Sequence, residues 1–529
     1  MNSPTSTSMI ERSPIVRWGR WLCSWRGVRW HLILLAWILS LIALFYAVEN
    51  WRGRRAWNQL HDRLIAQGEK LDFKDFVPKP VSGDQNFAAI PVVKTWFQSP
   101  TNRVSYDPFP DRWSQAYALV SSPGKDSAQH RHFTDLVAWE MAFAAVRSGG
   151  SSAGHKLVSK ERSREESAKA AAVVLEELKP DAPIFEELRA VCQRPNGLYP
   201  IEYNTDVPWS ILLPHLSKIK AACQRLMLKA SAELAVGNSQ QALEDIKLML
   251  RLADSVKAEP ILVSHLVRLA SWRLAIVPVW EGLAEHRWSD AQLVELQQML
   301  QPRFLHDVEL ALRAERAASL YTIDYVRRNG GIGLLGSLSD PVSASSESLS
   351  ELIRPLAPRG WYRWEQVNYC RLWEGYLRGG FNVAEQRVMP AQMVSNSRRV
   401  QAELGDNPLA ILLHHRVFAK MLMPSMEKVV LRTATGQTVA QFAALGCALE
   451  RYRLAKGQFP EQLGELVPQF VPSLPNDIIT GQPYKYRRAD QGNPVLYSVG
   501  WNVKDDQGEP GKELFDAEQG DWVWTYLRQ

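Results

Sequence analysis

The chain has 529 residues and a formal net charge of +6 at pH 7. A single hydrophobic core rarely grows beyond about 250–300 residues, so this length predicts more than one domain. Hydrophobic residues make up 46% of the sequence and charged residues 22%, which is typical of a folded protein and excludes a largely disordered one. The basic residues are spread along the chain instead of forming one run or one face. We therefore predict no nucleic-acid partner.

The first predicted element is a transmembrane helix. The segment LILLAWILSLIALFYAV, Leu32–Val48, contains no charge and is just long enough to span a hydrocarbon core of about 30 Å. Trp30 and Trp51 bracket it, as aromatic residues do at the two interfaces of a membrane. We predict an anchor over residues 32–50, preceded by a basic tail over residues 1–31, with the lipid bilayer as a partner.

Two alternatives to an anchor are a cleavable signal peptide and a buried core helix. A signal peptide has a short n-region and a small-x-small cleavage site, whereas here the n-region is long, and Phe45 and Ala47 make a poor site. A core helix would not carry flanking tryptophans and arginines. The sequence therefore favours an uncleaved, single-pass anchor.

The orientation follows from the arginines on the two sides of the span. Those before it are Arg12, Arg17, Arg20, Arg26 and Arg29. Those after it are Arg52, Arg54, Arg55 and Arg63. The small excess on the N-terminal side predicts a cytoplasmic N-terminus. We expect a protein of the bacterial inner membrane with most of its chain in the periplasm.

The cysteines do not identify a compartment. Cys23 precedes the span, and the other four are Cys192, Cys223, Cys370 and Cys447. They are widely spaced and contain no C-x-x-C pair, so they could form two bridges or none. They are neither a disulfide framework nor a zinc or redox motif.

The next region, residues 51–96, is predicted to be a juxtamembrane helix and an extended linker. Trp57, Leu60, Leu64 and Ile65 recur at helical spacing, and this helix is expected to continue the transmembrane helix. The linker reads FVPKPVSGDQNFAAIPVV and is punctuated by Pro and Gly. Together with the preceding ENWRGRRAW it resembles the start of many uncharacterised bacterial membrane-anchored proteins, a resemblance that implies no activity.

Residues 97–424 are predicted to form an α-helical domain. The segment from Lys218 to Val256 is typical of a helical hairpin, in which Gly237 and Asn238 turn the chain and Asn238 or Ser239 caps the second helix. Its turn resembles part of a tetratricopeptide unit, but no period of about 34 residues follows. A helical-hairpin scaffold and a plain α-helical packing domain both fit this pattern.

Four short motifs in this region are weak evidence for a catalytic or binding site. GIGLLG, Gly331–Gly336, matches a dinucleotide fingerprint but follows a helix instead of a strand. SKIK, Ser217–Lys220, matches the serine-nucleophile pattern S-x-x-K without its companion motifs. Two further sets contain histidines. They are HRHFTD, with His130, His132 and Asp135 as conceivable zinc ligands, and the pair His414 and His415 in an apolar run.

Residues 425–529 have a different pattern, one long helix followed by strands. The helix is expected to begin after Pro424, to present one apolar face and to end at Gly457. A short helix EQLGELVPQF follows, and then PYKYRR, PVLYSVGW and DWVWTYL alternate with the period of strands. A helix packed on a small antiparallel meander is the α+β arrangement that this pattern predicts.

This region resembles the globular domain of the major pseudopilins of type II secretion. The matching segments are ALERYRLAKGQFPEQLGELV, LPND, GQPYKYR, LYSVGWNVKDDQGE and DAEQGDW, in the order of that family. The resemblance covers about the last fifth of the chain. It implies a pseudopilin-like α+β domain and a secretion-related role.

The chain also departs from that family. Glu49 follows the apolar span, whereas a pseudopilin has a glutamate near the start of its hydrophobic helix. The family's usual Asp-Pro step is Asp477-Ile478 here, and the domain lies far downstream of the span. We therefore do not expect the chain to be processed or polymerised as a pilus subunit.

The resemblance also implies a calcium site in the loop before the last strand. The expected ligands are Asn502, Asp505, Asp506, Asp516 and Glu518. Calcium prefers six to eight hard oxygen ligands, and a Gly-punctuated loop with several carboxylates can converge them on one point. The alternative is a solvated acidic loop that is balanced by Lys504 and Lys512.

The sequence thus predicts a mainly α protein with one anchor, a periplasmic helical domain with helical hairpins, and a small α+β domain. For function we expect a non-enzymatic scaffold or interaction module that binds an envelope protein. The alternative is an envelope hydrolase with its site in the helical domain. A deep pocket lined by paired carboxylates or histidines would favour the hydrolase, and a shallow concave helical face the scaffold.

Overall fold

The computed structural model describes residues 25–97, 112–120, 132–148, 162–205, 207–329, 357–489 and 492–526. In these segments the chain is mainly helical, with one long apolar helix near the N-terminus and a small amount of sheet. The prediction of a mainly α protein is confirmed at this level.

Most of the chain is helical, and the three-stranded sheet follows the last helix, as the sequence patterns predict, whereas a short pair of strands also lies between two helices. The helices before the 330–356 segment are α1 (Trp25–Ala66), α2 (Pro91–Thr95), α3 (Arg112–Leu119), α4 (Leu136–Arg147), α5 (Arg164–Leu178), α6 (Ala182–Arg189), α7 (Pro214–Ala235), α8 (Ser239–Asp254), α9 (Leu262–Ala284), α10 (Asp290–Met299) and α11 (Phe304–Asn329). The later elements are α12 (Arg359–Leu377), β1 (Phe381–Asn382), β2 (Arg387–Val388), α13 (Pro390–Leu404), α14 (Pro408–Leu413), α15 (Val417–Leu422), α16 (Met426–Lys456), β3 (Lys485–Arg488), β4 (Pro494–Ser498) and β5 (Trp522–Thr525).

The chain divides into two compact units, each built from separate stretches of sequence. The first, the anchor unit, comprises Met1–Glu69, Ile323–Tyr369 and Asn407–Ala419. The second, the main unit, comprises Lys70–Thr322, Cys370–Asp406 and Lys420–Gln529.

In the anchor unit, α1 is one uninterrupted helix that joins the predicted span to the predicted juxtamembrane helix. Its most apolar 18-residue window has a mean hydropathy of 2.4, and none of that window is buried. Further along, Gly53 and Leu64 are buried, and Trp57 and Leu60 between them are half-buried. These positions recur every three or four residues, so one face of the second half of α1 is covered by protein.

In the main unit, α7 and α8 form the predicted hairpin, and α9 packs against both of them. Gly237 turns the chain with a φ of 91°, in the left-handed region that favours glycine. The expected cap differs, because the Asn238 side chain donates to Glu233 Oε2 at 2.9 Å instead of capping α8. The second apolar helix long enough to span a membrane is α9, with a mean hydropathy of 1.3, and it is mostly buried in this core.

A smaller cluster packs on the outside of α7. Helices α3 and α4 contribute stacked rings, with Trp113 and Trp139 at 4.7 Å between centroids, and α5 contributes aliphatic side chains. Leu228 and Ala232 of α7 complete this cluster. In the described segments the four cysteines Cys192, Cys223, Cys370 and Cys447 are all free thiols, which decides the question that their spacing left open.

Helix α16 is buried on all sides instead of on one face. From Thr433 to Glu450 every residue except Gln441 is buried, because α9 and α10 pack on α16 in addition to the sheet. The helix ends as predicted at Gly457, which has a φ of 81°. The core is continuous across residues 424 and 425, so the predicted boundary between a helical and an α+β domain lies inside one compact unit.

Three antiparallel strands follow α16 in the order β3-β4-β5, at the positions where the sequence alternates. Leu496 of β4 lies opposite Tyr486 and Trp524 in the register. Leu496 and Trp524 face the core that contains α16, whereas Val495, Tyr497 and Val523 form a separate cluster. The predicted short helix before the sheet is a single 3₁₀ turn, Leu463–Leu466.

Candidate functional site

The loop between β4 and β5 is held by buried carboxylates. Asp521 is fully buried, and it accepts hydrogen bonds from the backbone N–H groups of Asp506 at 3.2 Å and Gly508 at 2.6 Å. Asp477 is also buried and accepts from Ile479 N and Ser498 Oγ, each at 2.9 Å. Burial raises the pKa of both carboxyls, and these hydrogen bonds lower it in part.

Sequence reasoning missed Asp521 as a functional position. The sequence feature that could have identified Asp521 is an acidic residue directly before the last strand, at the end of a Gly-rich loop. The role of Asp521 is to order the loop, because its two oxygens satisfy N–H groups that would otherwise lack partners.

The predicted calcium ligands make other bonds. Asn502 Oδ1 accepts from Lys504 N at 2.9 Å. Asp505 pairs with Lys485 at 2.7 Å, and this hydrogen bond lowers the pKa of Asp505. Asp516 accepts three backbone N–H groups through its two oxygens, from Lys512, Glu518 and Gln519.

These bonds bear on whether the loop fits an ion. Calcium needs oxygens that converge on one point, whereas the oxygens of Asp505 and Asp516 face a lysine and backbone amides. Among the described residues, no group of three or more His, Cys, Asp or Glu side chains is placed to hold a metal ion. To bind calcium, Asp505 and Asp516 would have to exchange their present partners, so the calcium site remains a prediction.

The other motif residues have structural roles where the structure describes them. Asp135 caps α4 by accepting from Ala138 N at 3.0 Å. Ser217 donates to Pro214 O at 2.9 Å on an exposed face of α7. GIGLLG and His130 lie outside the described residues.

His414 and His415 separate two helices instead of lying within one. The main chain turns at His415, which has a φ of 53°. The carbonyl oxygens of both histidines accept from Asn368 Nδ2, at 2.8 and 3.1 Å. The predicted apolar helical run is therefore broken into α14 and α15.

The main unit contains a buried cluster with residue types used in hydrolysis. His215 Nε2 lies 2.8 Å from Glu259 Oε1, and Ser264 Oγ donates to Glu259 Oε2 at 2.5 Å. His215 and Ser264 are fully buried, and the Tyr199 ring stacks on the imidazole at 4.4 Å. A nucleophile must be bonded to its base, whereas here the carboxylate separates the serine from the histidine. The arrangement suits a core polar network.

One cavity of about 280 Å³ lies in the main unit where α3, α4 and α5 meet. Trp113, Phe143 and Leu178 form part of its wall. Its carboxylates are ion-paired. The pairs are Glu176 with Lys179, Glu177 with Arg147, and Asp181 with Arg225. Each of these three carboxylates therefore has a basic partner within the protein.

In the anchor unit, α1 crosses α12. Asn50 Oδ1 accepts from Gly360 N at 2.6 Å, at the N-terminus of α12 where backbone N–H groups lack helical partners. Arg363 lies over the Trp57 ring at 5.8 Å and pairs with Asp324 of α11 at 3.2 Å. Within the anchor unit, these contacts connect α1 with α12, and α12 with the C-terminal turns of α11, just beyond the apolar segment.

Glu365 of α12 joins α15 to the same unit. Its carboxylate accepts from Val417 N at 2.9 Å and from Phe418 N at 3.0 Å, so it caps the start of α15. The side chain is buried, and burial raises its pKa to about 7, although the two hydrogen bonds oppose this shift.

No protein-family model matches the chain, and no curated protein or solved structure shows significant similarity to it.

Proposed function

We propose that the protein is a single-pass protein of the bacterial inner membrane that acts as a non-enzymatic scaffold in the periplasm. In this proposal the N-terminus is cytoplasmic, α1 is the anchor, and the main unit binds an envelope protein partner in a secretion-related assembly.

The observation that carries the proposal is the difference in exposure between the two halves of α1. Its apolar half is exposed, although its most apolar window has a mean hydropathy of 2.4, and its basic half is covered by protein on one face. An exposed apolar surface of this extent needs a partner, and a helix of this length and composition fits a bilayer. Trp51 and Arg52 lie at the transition, as expected at a membrane interface.

We further propose that α16 and the sheet β3–β5 form a pseudopilin-like module. It is supported by the long helix that ends at Gly457 and by the antiparallel order of the strands that follow. This module shares its core with α9 and α10, so it would act as a fixed part of the main unit.

Among the described residues, two places bear on the alternative hydrolase, the cavity between α3, α4 and α5 and the His215 cluster. The paired carboxylates of the cavity and the burial of His215 and Ser264 are the reasons for preferring the scaffold. A scaffold needs only a stable surface, and the large common core of the main unit holds that surface in one conformation.

Membrane topology tests the first part of the proposal. Alkaline phosphatase, which is active only outside the cytoplasm, is fused to the C-terminus of the full chain. We expect phosphatase activity and retention in the membrane pellet after alkaline extraction. The variant Leu35→Arg/Leu39→Arg should lose both, because each arginine at the centre of a span costs about 3 kcal/mol, whereas Leu35→Ala/Leu39→Ala should keep both. An inactive fusion in the membrane pellet would overturn the orientation.

Substrate turnover tests the second part. The purified full chain is incubated with chromogenic ester, peptide and glycoside substrates, and we expect no turnover above buffer. Turnover that is lost in Glu177→Gln but kept in Glu165→Gln, an exposed glutamate on the same helix, would establish the hydrolase instead.

A further inference from the structure

The short helix α14 lies beside the end of the apolar span. The Phe45 ring of α1 contacts Trp361 edge-on at 6.4 Å between centroids. The Trp361 ring in turn lies 5.0 Å from the ring of His415, the second residue after α14. Phe45 belongs to the last turn of the apolar segment. With α1 in a bilayer, these rings place His415 at the level of the membrane interface.

Helix α14 presents two leucines to the outside. Leu409 is 62% exposed and Leu413 is 59% exposed. They are four positions apart, so they lie on the same face of the helix. Asn407 fixes the start of the helix by accepting from Leu409 N at 3.0 Å. Single exposed leucines are common, but an ordered pair next to the end of a span is an apolar patch that needs a partner.

The charge of the segment around α14 indicates what kind of partner covers this patch. From Asn407 to Ala419, the stretch of the anchor unit that contains α14, the sequence has no aspartate or glutamate, and Arg416 is basic. The acidic residue directly before this stretch, Asp406, is paired with Lys420 at 2.9 Å. Trp361 and Trp364 flank His415, and tryptophan is enriched at the headgroup level of membranes. An apolar face without acidic residues, beside tryptophans, suits a bilayer surface.

We propose that α14 is a membrane-interface helix that inserts Leu409 and Leu413 among the lipid chains at the headgroup boundary, next to α1. The occupant of this face is the lipid of the same bilayer that α1 spans. The inference rests on α1 as the anchor and goes beyond the proposed scaffold function, since it adds a second membrane contact. Two contacts fix the orientation of the anchor unit on the bilayer, which a single helix would leave free to rotate.

Depth-dependent fluorescence quenching tests this proposal on the full chain in lipid nanodiscs. The starting variant is Cys23→Ser/Cys192→Ser, since the other three cysteines are buried and unreactive. One cysteine is added at Leu413, at Leu39 in the middle of the span, or at Asp62, and it is labelled with an environment-sensitive dye. Asp62 is the aqueous control, because it lies about 21 Å beyond Val48 along α1 and is exposed.

We expect the dye at Leu413→Cys to emit at shorter wavelength than the dye at Asp62→Cys and to be quenched most by lipids that carry a quencher near the headgroup. The dye at Leu39→Cys should be quenched most by lipids with a deep quencher. Water-like emission at Leu413→Cys with deep quenching at Leu39→Cys would overturn the interface helix and leave the anchor intact. Water-like emission at both positions would overturn the anchor, and the interface helix with it.

Discussion

Gly53 and Gly360 lie against each other at the crossing of α1 and α12, with no room for a side chain at either position. A Cβ atom added at Gly53 would lie 2.2 Å from the carbonyl oxygen of Gly360. One added at Gly360 would lie 2.2 Å from the carbonyl oxygen of Glu49. Ordinary contacts of carbon atoms are about 3.5–4.0 Å, and the obstacles here are backbone atoms that cannot rotate away. The two glycines therefore set the distance at which the anchor helix packs on its neighbour.

Adding one methyl group at this crossing should destabilise the anchor unit. We expect Gly53→Ala and Gly360→Ala each to lower the free energy of unfolding by about 1–3 kcal/mol, the usual cost of overpacking. Thermal unfolding of the full chain in nanodiscs, followed by helical circular dichroism, measures this change.

The matched control is Gly375→Ala on the same helix α12. No heavy atom lies within 4 Å of the position that its Cβ would take. Alanine should therefore stabilise this helix by about 0.5–1 kcal/mol, through its higher helix propensity. Equal melting temperatures for Gly53→Ala and Gly375→Ala would show that the crossing of α1 and α12 has room for a methyl group.

The buried Glu365 makes the stability of the anchor unit depend on pH. Its pKa is about 7 in the folded protein, above its ordinary value of 4.5. A carboxyl with a raised pKa favours the folded state when it is protonated. That contribution is complete below about pH 4.5 and is lost as the pH rises through about 7. The loss is at most about 3.5 kcal/mol, since each pKa unit corresponds to about 1.4 kcal/mol.

The variant Glu365→Gln should abolish this contribution, because glutamine stays neutral at every pH. We expect the fall in melting temperature between pH 5 and pH 8 to be smaller in this variant than in the natural chain. Glu165→Gln, at an exposed glutamate of α5, is the control and should keep the natural pH dependence. An unchanged pH dependence in Glu365→Gln would show that its carboxyl is ionised throughout this range.

The main unit should not be divisible at residue 425. An isolated fragment of residues 425–529 exposes the surface of α16 that α9 and α10 cover in the full chain. We expect no cooperative thermal transition for this fragment, whereas residues 70–529 should melt cooperatively. A cooperative transition of the fragment would restore the predicted domain boundary between residues 424 and 425.

The sequence predicted those parts of the fold that depend on local signals. Gly237 and Gly457 end helices because the left-handed backbone there favours glycine, and this preference is visible in one sequence. The period-two alternation in PVLYSVGW likewise predicted the strand β4. The burial of α16 on all sides was not predictable, because α9 and α10 lie more than a hundred residues earlier in the chain.

The functional residues were harder to predict because their roles depend on distant partners. Glu365 caps backbone amides 52 and 53 positions away. Gly360 meets α1 across 310 positions. A sequence pattern describes neighbours within a few residues, so such contacts leave no periodic signal. In the acidic loop, Asp505 binds a lysine and Asp516 binds backbone amides, and the composition alone does not show these partners. The calcium site there stays a prediction.

Asp521 should matter more for stability than the exposed acids of the same loop. Truncation in Asp521→Ala leaves the N–H groups of Asp506 and Gly508 without their acceptor, at a cost of about 1–3 kcal/mol. The control Asp505→Ala removes an exposed ion pair with Lys485, which is worth about 0–1 kcal/mol, and a solvent-exposed hydrogen bond from Gln507 N. Chemical denaturation of residues 70–529 measures both. A larger loss in Asp505→Ala would mean that the loop is held by its surface charges.

Calcium should leave the melting temperature of the full chain unchanged, because Asp505 and Asp516 already use their oxygens within the protein. A ligand at a hundredfold its dissociation constant would add about 2.7 kcal/mol to the folded state, a shift of several degrees that is easily detected. The measurement compares excess calcium, excess magnesium and chelator. A rise with calcium alone that disappears in Asp516→Ala would establish the predicted site. Asp516 would then have to release the backbone amides of Lys512, Glu518 and Gln519, so amide hydrogen exchange at these three residues should become faster when calcium binds.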